Sequence, residues 1–246
     1  MRIAHAIFTS LRGDRLDGYQ LAAHSDGITD KMAQELSGWG PAHDSLLDQG
    51  PDAESINFHP LMDRDSFCLS RTTCSGAEYS GRTGGRIYTQ MFLVSRAGLL
   101  QFGANPFSLL RAIAASGRLL VHDIVPKRLR SFPLAGGAGG DEQTVIESLT
   151  AEVGSEPLAE LANALRAGGS VAVCGDIAPA RLFRALFQFI PVDGRLGISF
   201  TTGLKTSIRR PFQLFVAPPH ENEQRQLQRQ TGTTLVEVRA LHSASH

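Results

Sequence analysis

Cysteine and histidine side chains in the first half of the sequence are the groups that could carry nucleophilic catalysis. Cys74 stands between polar neighbours at the end of a segment with strand character, and His5 and His24 belong to the same half. A thiol becomes an effective nucleophile when an imidazole within hydrogen-bond reach takes its proton. Because no cysteine-enzyme signature surrounds Cys74, we interpret it first as a structural thiol. A small cysteine-dependent hydrolase that uses Cys74 with His5 or His24 is the alternative hypothesis.

An arginine–glycine turn is the second candidate site. Arg82, Gly84, Gly85 and Arg86 lie directly before a strongly apolar segment at residues 87–94. Arginines beside a strand either remain solvated and guard the edge against aggregation, or bind an acidic surface through their planar guanidinium groups. The solvated edge is the simpler interpretation. The binding interpretation predicts that these four residues contact a protein partner, because recognition is concentrated on loops held by a rigid sheet.

Patterns for metals and nucleotides are incomplete. His220 and Glu221 begin a zincin-like motif, but Gln224 stands where the second histidine ligand is required. The segment at residues 203–207 contains Lys-Thr but lacks the upstream glycine spacing of a phosphate-binding loop and a helix after it. The sequence therefore predicts no metal site and no cofactor.

Composition narrows the classes of partner and compartment. In 246 residues, Lys and Arg together number 24 and so do Asp and Glu, so no excess of positive charge favours nucleic acid or an anionic membrane. Three widely spaced cysteines do not make a disulfide framework. The first residues lack a secretion-signal pattern, and no apolar run reaches membrane-spanning length. We expect a cytoplasmic protein that binds neither nucleic acid nor membrane.

The clearest structural element in the sequence is a strand–helix–strand unit in the second half. Residues 170–174 form a short apolar run, and Asp176 and Pro179 are suited to the start of a helix. A wide apolar stripe then continues to Ile190, and residues 196–202 return as a strand. This order predicts a parallel crossover unit.

The remaining pattern predicts an α+β fold, or a mixed α/β fold, in two lobes. The first lobe, residues 1–135, is expected to be rich in antiparallel strands, at residues 3–10, 19–23, 67–74, 87–94 and 119–125, with residues 40–65 as a long loop. Thr29 or Asp26 is suited to cap a first helix, and Trp39 is expected to seal that helix against the hairpin of the first two strands. Asn105 and Pro106 are suited to start a second helix. A glycine-rich linker at 136–140 precedes a smaller α/β lobe at 141–240, and residues 241–246 are expected to form a flexible tail.

Four segments resemble the N-terminal and middle regions of the bacterial GTPase-associated protein 1 family. They are residues 3–10, 18–25, 81–94 and 189–202. The resemblance implies a protein that acts with a small Ras-like GTPase and accessory subunits in bacterial conflict (defence) or signalling systems. Gln90 stands where the family often has a histidine, which argues against acid–base chemistry on that strand. No catalytic residue follows from the resemblance, so it favours a non-catalytic scaffold or adaptor.

Overall fold

The computed structural model describes residues 1–11, 18–48, 50–77, 85–137 and 142–241, which form an α+β fold. The strands in this part of the chain are β1 (Arg2–Leu11), β2 (Gly18–His24), β3 (Glu54–Pro60), β4 (Ser66–Ala77), β5 (Gly85–Ser95), β6 (Phe132–Pro133), β7 (Val171–Gly175), β8 (Phe200–Thr201), β9 (Leu214–Val216) and β10 (Thr234–Val238). The helices are α1 (Asp30–Trp39), α2 (Arg96–Leu100), α3 (Pro106–Ala115), α4 (Glu142–Val153), α5 (Glu156–Arg166), α6 (Pro179–Phe189), α7 (Val192–Arg195) and α8 (Glu221–Thr231).

The strands of both predicted lobes form one sheet. Its order is β10-β7-β9-β8-β3-β4-β5-β1-β2, and β6 pairs with the beginning of β1. The half that contains β3, β4, β5, β1 and β2 is antiparallel, whereas β10, β7, β9 and β8 are parallel to one another. The halves join where β3 pairs antiparallel with β8, with Asn57 opposite Thr201 and Phe58 opposite Phe200.

A single large hydrophobic core extends across this junction. Phe58 and Phe67 of the first half lie in the same buried cluster as Phe183, Phe187 and Phe200 of the second. The two predicted lobes are therefore two halves of one sheet that share a core. Most of the predicted linker, residues 138–140, and all but the first residue of the predicted tail lie outside the described residues.

The predicted crossover unit is present, with two differences from the expectation. Strand β9 lies between β7 and β8, so the two strands joined by α6 are parallel but not adjacent. Asp176 does not cap α6, because the N-cap of this helix is Ala178. The carboxylate of Asp176 instead accepts a hydrogen bond from the backbone amide of Ala240 at 3.0 Å. Pro179 does stand in the first turn of the helix, as predicted.

Local sequence signals account for the helix starts of the first half. The hydroxyl of Thr29 caps α1 by accepting from the amide of Met32, and the side chain of Asn105 caps α3 in the same way. Two predictions for this half were wrong. The predicted loop at 40–65 contains β3, and residues 119–125 do not form a strand. Across the described residues, no helix combines the length and apolarity needed to cross a bilayer.

Candidate functional site

The arginine–glycine turn is described only from its last residues. Arg82 and Gly84 lie outside the described residues. Gly85 begins β5 and faces Cys74 so closely that a Cβ atom there would lie 1.9 Å from Sγ. Arg86 is half-buried and donates a hydrogen bond to the hydroxyl of Ser75 at 3.1 Å. Part of this guanidinium is therefore already engaged within the sheet.

The register of the sheet keeps Cys74 away from both candidate histidines. Cys74 is opposite Ile87 on one side of β5, and His5 is opposite Phe92 on the other side. Five residues along a strand correspond to about 17 Å at about 3.4 Å per residue. His24 is also remote from Cys74, because it lies on β2, three strands from β4, and pairs with Ala6 of β1, which is opposite Met91. The nucleophile–base pair of the hydrolase hypothesis is therefore not formed.

The other thiols are not activated either. Burial raises the pKa of the Cys68 thiol far above its usual value, and burial and the nearby Glu237 carboxylate raise the pKa of Cys174. A raised pKa keeps a thiol protonated and unreactive at neutral pH. Within the described ranges, no group of three His, Cys, Asp or Glu side chains is placed to hold a metal ion.

A cleft of about 670 Å³ lies where the two halves of the chain meet. This volume is within the range of about 300–1,000 Å³ that ligand-binding cavities usually have. Helix α1 and the segment around β3 supply one wall, and α5 with the segment before β8 supplies the other. The lining includes Trp39, His59, Met62 and Arg64 from the first half and Arg166 and Ile198 from the second.

Two stacked rings form part of this cleft wall. The indole of Trp39 and the imidazole of His59 have centroids 3.7 Å apart and planes inclined by 11°, and Phe212 meets the indole edge-on at 5.2 Å. His59 is 2% exposed, and neither ring nitrogen has a hydrogen-bond partner in the described structure. Burial lowers the pKa of His59 to about 3. The imidazole is therefore neutral near pH 7 and contributes an aromatic surface rather than a base.

The rim of the cleft is polar and cationic. Arg64 and Arg166 are both exposed, and Arg166 donates a hydrogen bond to the side-chain oxygen of Asn163. The carboxylate of Glu35 accepts from the amide of Met62 at 2.8 Å, which fixes the backbone beside the opening. The Met62 side chain itself is 77% exposed. An apolar wall with cations at its edge suits an apolar group that carries negative charge nearby.

Sequence reasoning missed this cleft for two reasons. The segment with His59, Met62 and Arg64 was predicted to be a loop, and Trp39 was expected to seal its helix against the β1–β2 hairpin. In the structure the indole of Trp39 stacks instead on the imidazole of His59, which belongs to β3. The available signal was the alternation of apolar and polar residues along Glu54–Pro60, which is typical of a strand.

Comparison with known proteins identifies the first half of the chain. Residues 2–130 match the family described as GTPase-associated protein 1, N-terminal domain type 2. The matched region contains β1 to β5 with α1 to α3, and therefore one wall of the cleft. No curated protein and no solved structure shows significant similarity to the chain.

Proposed function

Because the chain belongs to the GTPase-associated protein 1 family through its N-terminal domain of type 2, we propose that it is a non-catalytic adaptor in a bacterial GTPase-centred assembly. Its role is to bind protein partners, among them a small Ras-like GTPase and accessory subunits, in defence or signalling. The observation that supports this proposal is the cleft with the Trp39–His59 stack and the two rim arginines.

The residue types in the cleft are those that carry binding energy in protein interfaces. Trp, Met and Arg are enriched at interface centres, where an aromatic anchor in a desolvated pocket dominates affinity. Trp39 is half-buried against His59, so its free surface is already held in place and loses little conformational freedom on binding. Met62 is unbranched and exposed, and can adapt to the shape of an incoming side chain.

The charged side chains around the cleft favour a partner segment that carries negative charge. Arg64 and Arg166 stand on the two walls. Glu35 is the one carboxylate among the described lining residues, and it accepts a hydrogen bond from a backbone amide. We assign to the cleft a segment of a partner protein with one large apolar side chain flanked by acidic residues. The turn at Arg82, Gly84, Gly85 and Arg86 is a further predicted contact of the same assembly.

The experiment measures binding of the chain to the small GTPase encoded nearest to it, loaded in turn with GDP and with a non-hydrolysable GTP analogue. Trp39 is the only tryptophan in the chain. With a GTPase variant that lacks tryptophan, a change in tryptophan fluorescence therefore measures binding at the cleft. We expect saturable binding with a change in Trp39 emission. The double variant Arg64→Glu and Arg166→Glu should weaken binding at least tenfold, chiefly by slowing association.

The matched control is Arg229→Glu, which reverses an exposed charge on α8 away from the cleft. It should leave affinity within about twofold of the original chain, because exposed charges outside an interface contribute little. Equal loss in the control and in the double variant would remove the cleft as the docking site. Absence of binding in both nucleotide states would overturn the adaptor proposal for this GTPase.

A further inference from the structure

A second cavity, of about 200 Å³, is lined by basic side chains and lies against the β1–β5 pair. Its floor is made by two cross-strand pairs, His5 opposite Phe92 and Ile7 opposite Gln90. Its other wall is the irregular segment at 118–130, which carries the basic side chains. These are Arg118, His122, Arg128 and Arg130. Among the described residues, no aspartate or glutamate lines the cavity.

The irregular segment is fixed in place at several points. The side-chain amide of Gln90, a residue that is 6% exposed, donates hydrogen bonds to the backbone carbonyl oxygens of Arg118 at 3.2 Å and Leu120 at 3.0 Å. Leu129 is buried, and its own amide donates to the carbonyl of His24. The segment ends in β6, which pairs with β1. The wall is therefore anchored to the sheet at both ends, although it has no regular secondary structure.

The three arginines around this cavity have no acceptors among the described residues. In the described part of the chain, the guanidinium groups of Arg118, Arg128 and Arg130 make no ion pair and no hydrogen bond. Arg118 is oriented by Phe132, whose ring centroid lies 5.0 Å from the guanidinium carbon. The Nε2 atom of His5 is buried without a hydrogen-bond partner. His5, Arg118 and His122 all line this cavity, and the pKa of His5 is lowered first by burial and then by the charges of Arg118 and His122.

Like charges that converge on one cavity repel one another unless an anion neutralises them. Guanidinium groups are the side chains best suited to phosphate, because their planar donors form paired hydrogen bonds with its oxygens. The volume is smaller than the roughly 300–1,000 Å³ of cavities that enclose a whole ligand. It fits a single anionic group whose remaining part stays outside.

We propose that this cavity binds the phosphate group of a phosphate monoester through Arg118, Arg128 and Arg130. Three guanidinium groups match the dianionic charge of such a group better than the single charge of a carboxylate. The ester is either a small molecule or a phosphorylated side chain of a protein, since both present the same terminal group. The site uses none of the residues of the cleft and is independent of the adaptor proposal.

Calorimetric titration of the whole chain with inorganic phosphate, in a phosphate-free buffer at constant ionic strength, tests the proposal. We expect saturable binding with one phosphate per chain. Arg128→Gln and Arg130→Gln should each weaken it at least fivefold, and the double variant at least twentyfold. Both side chains are exposed, so these substitutions leave the fold intact. A phosphoserine peptide and a small phosphate monoester, titrated separately, then distinguish the two sources of the group.

Lys127→Gln provides the matched control, because Lys127 is exposed and adjacent in sequence but does not line the cavity. It should change phosphate affinity by less than twofold. A second readout is the imidazole resonance of His5, which should shift on addition of phosphate and not of chloride. Saturable binding weakened equally by Lys127→Gln and Arg128→Gln would show attraction to net charge alone and would overturn the site. Lack of saturable binding would overturn it as well.

Discussion

The imidazole of His59 lies flat on the indole of Trp39, with ring centroids 3.7 Å apart, and so joins the last residue of α1 to β3. The two residues are 20 positions apart in the sequence, and both line the cleft. Since neither ring nitrogen of His59 has a hydrogen-bond partner among the described residues, the side chain stabilises the structure through its aromatic faces. A purely apolar ring could make the same contact.

The first prediction concerns acid stability and the substitution His59→Phe. The folded chain holds His59 neutral with a pKa of about 3, whereas the unfolded chain has a histidine pKa near its usual value of about 6.5. Between these values the unfolded state binds one more proton, so stability falls by about 1.4 kcal/mol for each pH unit of acidification. At pH 5 the loss from this group is roughly 2 kcal/mol.

His59→Phe should remove that loss and should leave the free energy of unfolding at pH 7 unchanged or slightly higher, because it replaces buried nitrogens without partners. Urea denaturation of both proteins at pH 7 and pH 5 gives the measurement. Other groups titrate in this range, among them His5, whose pKa is also lowered, so the comparison is the difference between the two proteins. Equal loss of stability in both would contradict a neutral, buried His59.

The second prediction concerns the close contact between Gly85 and Cys74. A Cβ atom on Gly85 would lie 1.9 Å from Sγ of Cys74, and its next neighbours would be the Gly76 carbonyl oxygen at 3.4 Å and the Cys74 Cβ at 3.5 Å. Gly85→Ala should therefore destabilise the chain by about 1–3 kcal/mol, as overpacking does. In a Cys74→Ala background the sulfur is gone, and the same substitution should cost less than about 1 kcal/mol.

A double-mutant cycle measured by chemical denaturation isolates this coupling. Thr73→Ala is a suitable control background, because Thr73 adjoins Cys74 on β4 and supplies none of the three atoms nearest to a Cβ on Gly85. If Gly85→Ala costs the same in all three backgrounds, the sulfur is not what requires glycine at this position.

The confirmed sequence predictions rest on local signals. Helix caps at Thr29 and Asn105 and the apolar stripe of α6 are each contained within about a dozen residues, and the structure has all of them. The strands β1, β2, β4 and β5 were likewise predicted from the apolar residues within each segment. These signals fixed the α+β class without any knowledge of how the strands pair.

Strand β3 was missed because its polar side chains are buried rather than solvated. Asn57 donates hydrogen bonds to the hydroxyls of Ser70 and Thr72 and accepts from those of Ser55 and Thr201. Its partners lie on both neighbouring strands, one of them in the other half of the chain. A polar residue with such a network is as compatible with the interior as an apolar one, but its partners are not visible in the local sequence.

The candidate sites could not be predicted for a related reason. The cleft requires α5 to lie beside β3, and the basic cavity requires an irregular segment to return across β1 and β5. Both depend on contacts between residues more than a hundred positions or several elements apart. The strand register also argues against the cysteine–histidine hypothesis. Strands β4 and β1 pair with opposite edges of β5, and their register separates Cys74 from His5.

The last prediction tests the shared core with two phenylalanines on one helix. Phe187 is fully buried, and its ring meets the edges or faces of Phe107 at 6.1 Å and Phe200 at 5.3 Å, which ties α6 to α3 and to β8. Phe187→Ala should lower the free energy of unfolding by about 3–5 kcal/mol, through lost burial and the cavity left behind. Phe189, two residues along α6, is 39% exposed, and Phe189→Ala should cost no more than about 1 kcal/mol. Urea denaturation of the two variants, with one cooperative transition expected in each, gives both values. A cost below about 1 kcal/mol at Phe187, or a separate transition for each half of the chain, would mean that the two halves do not share a core.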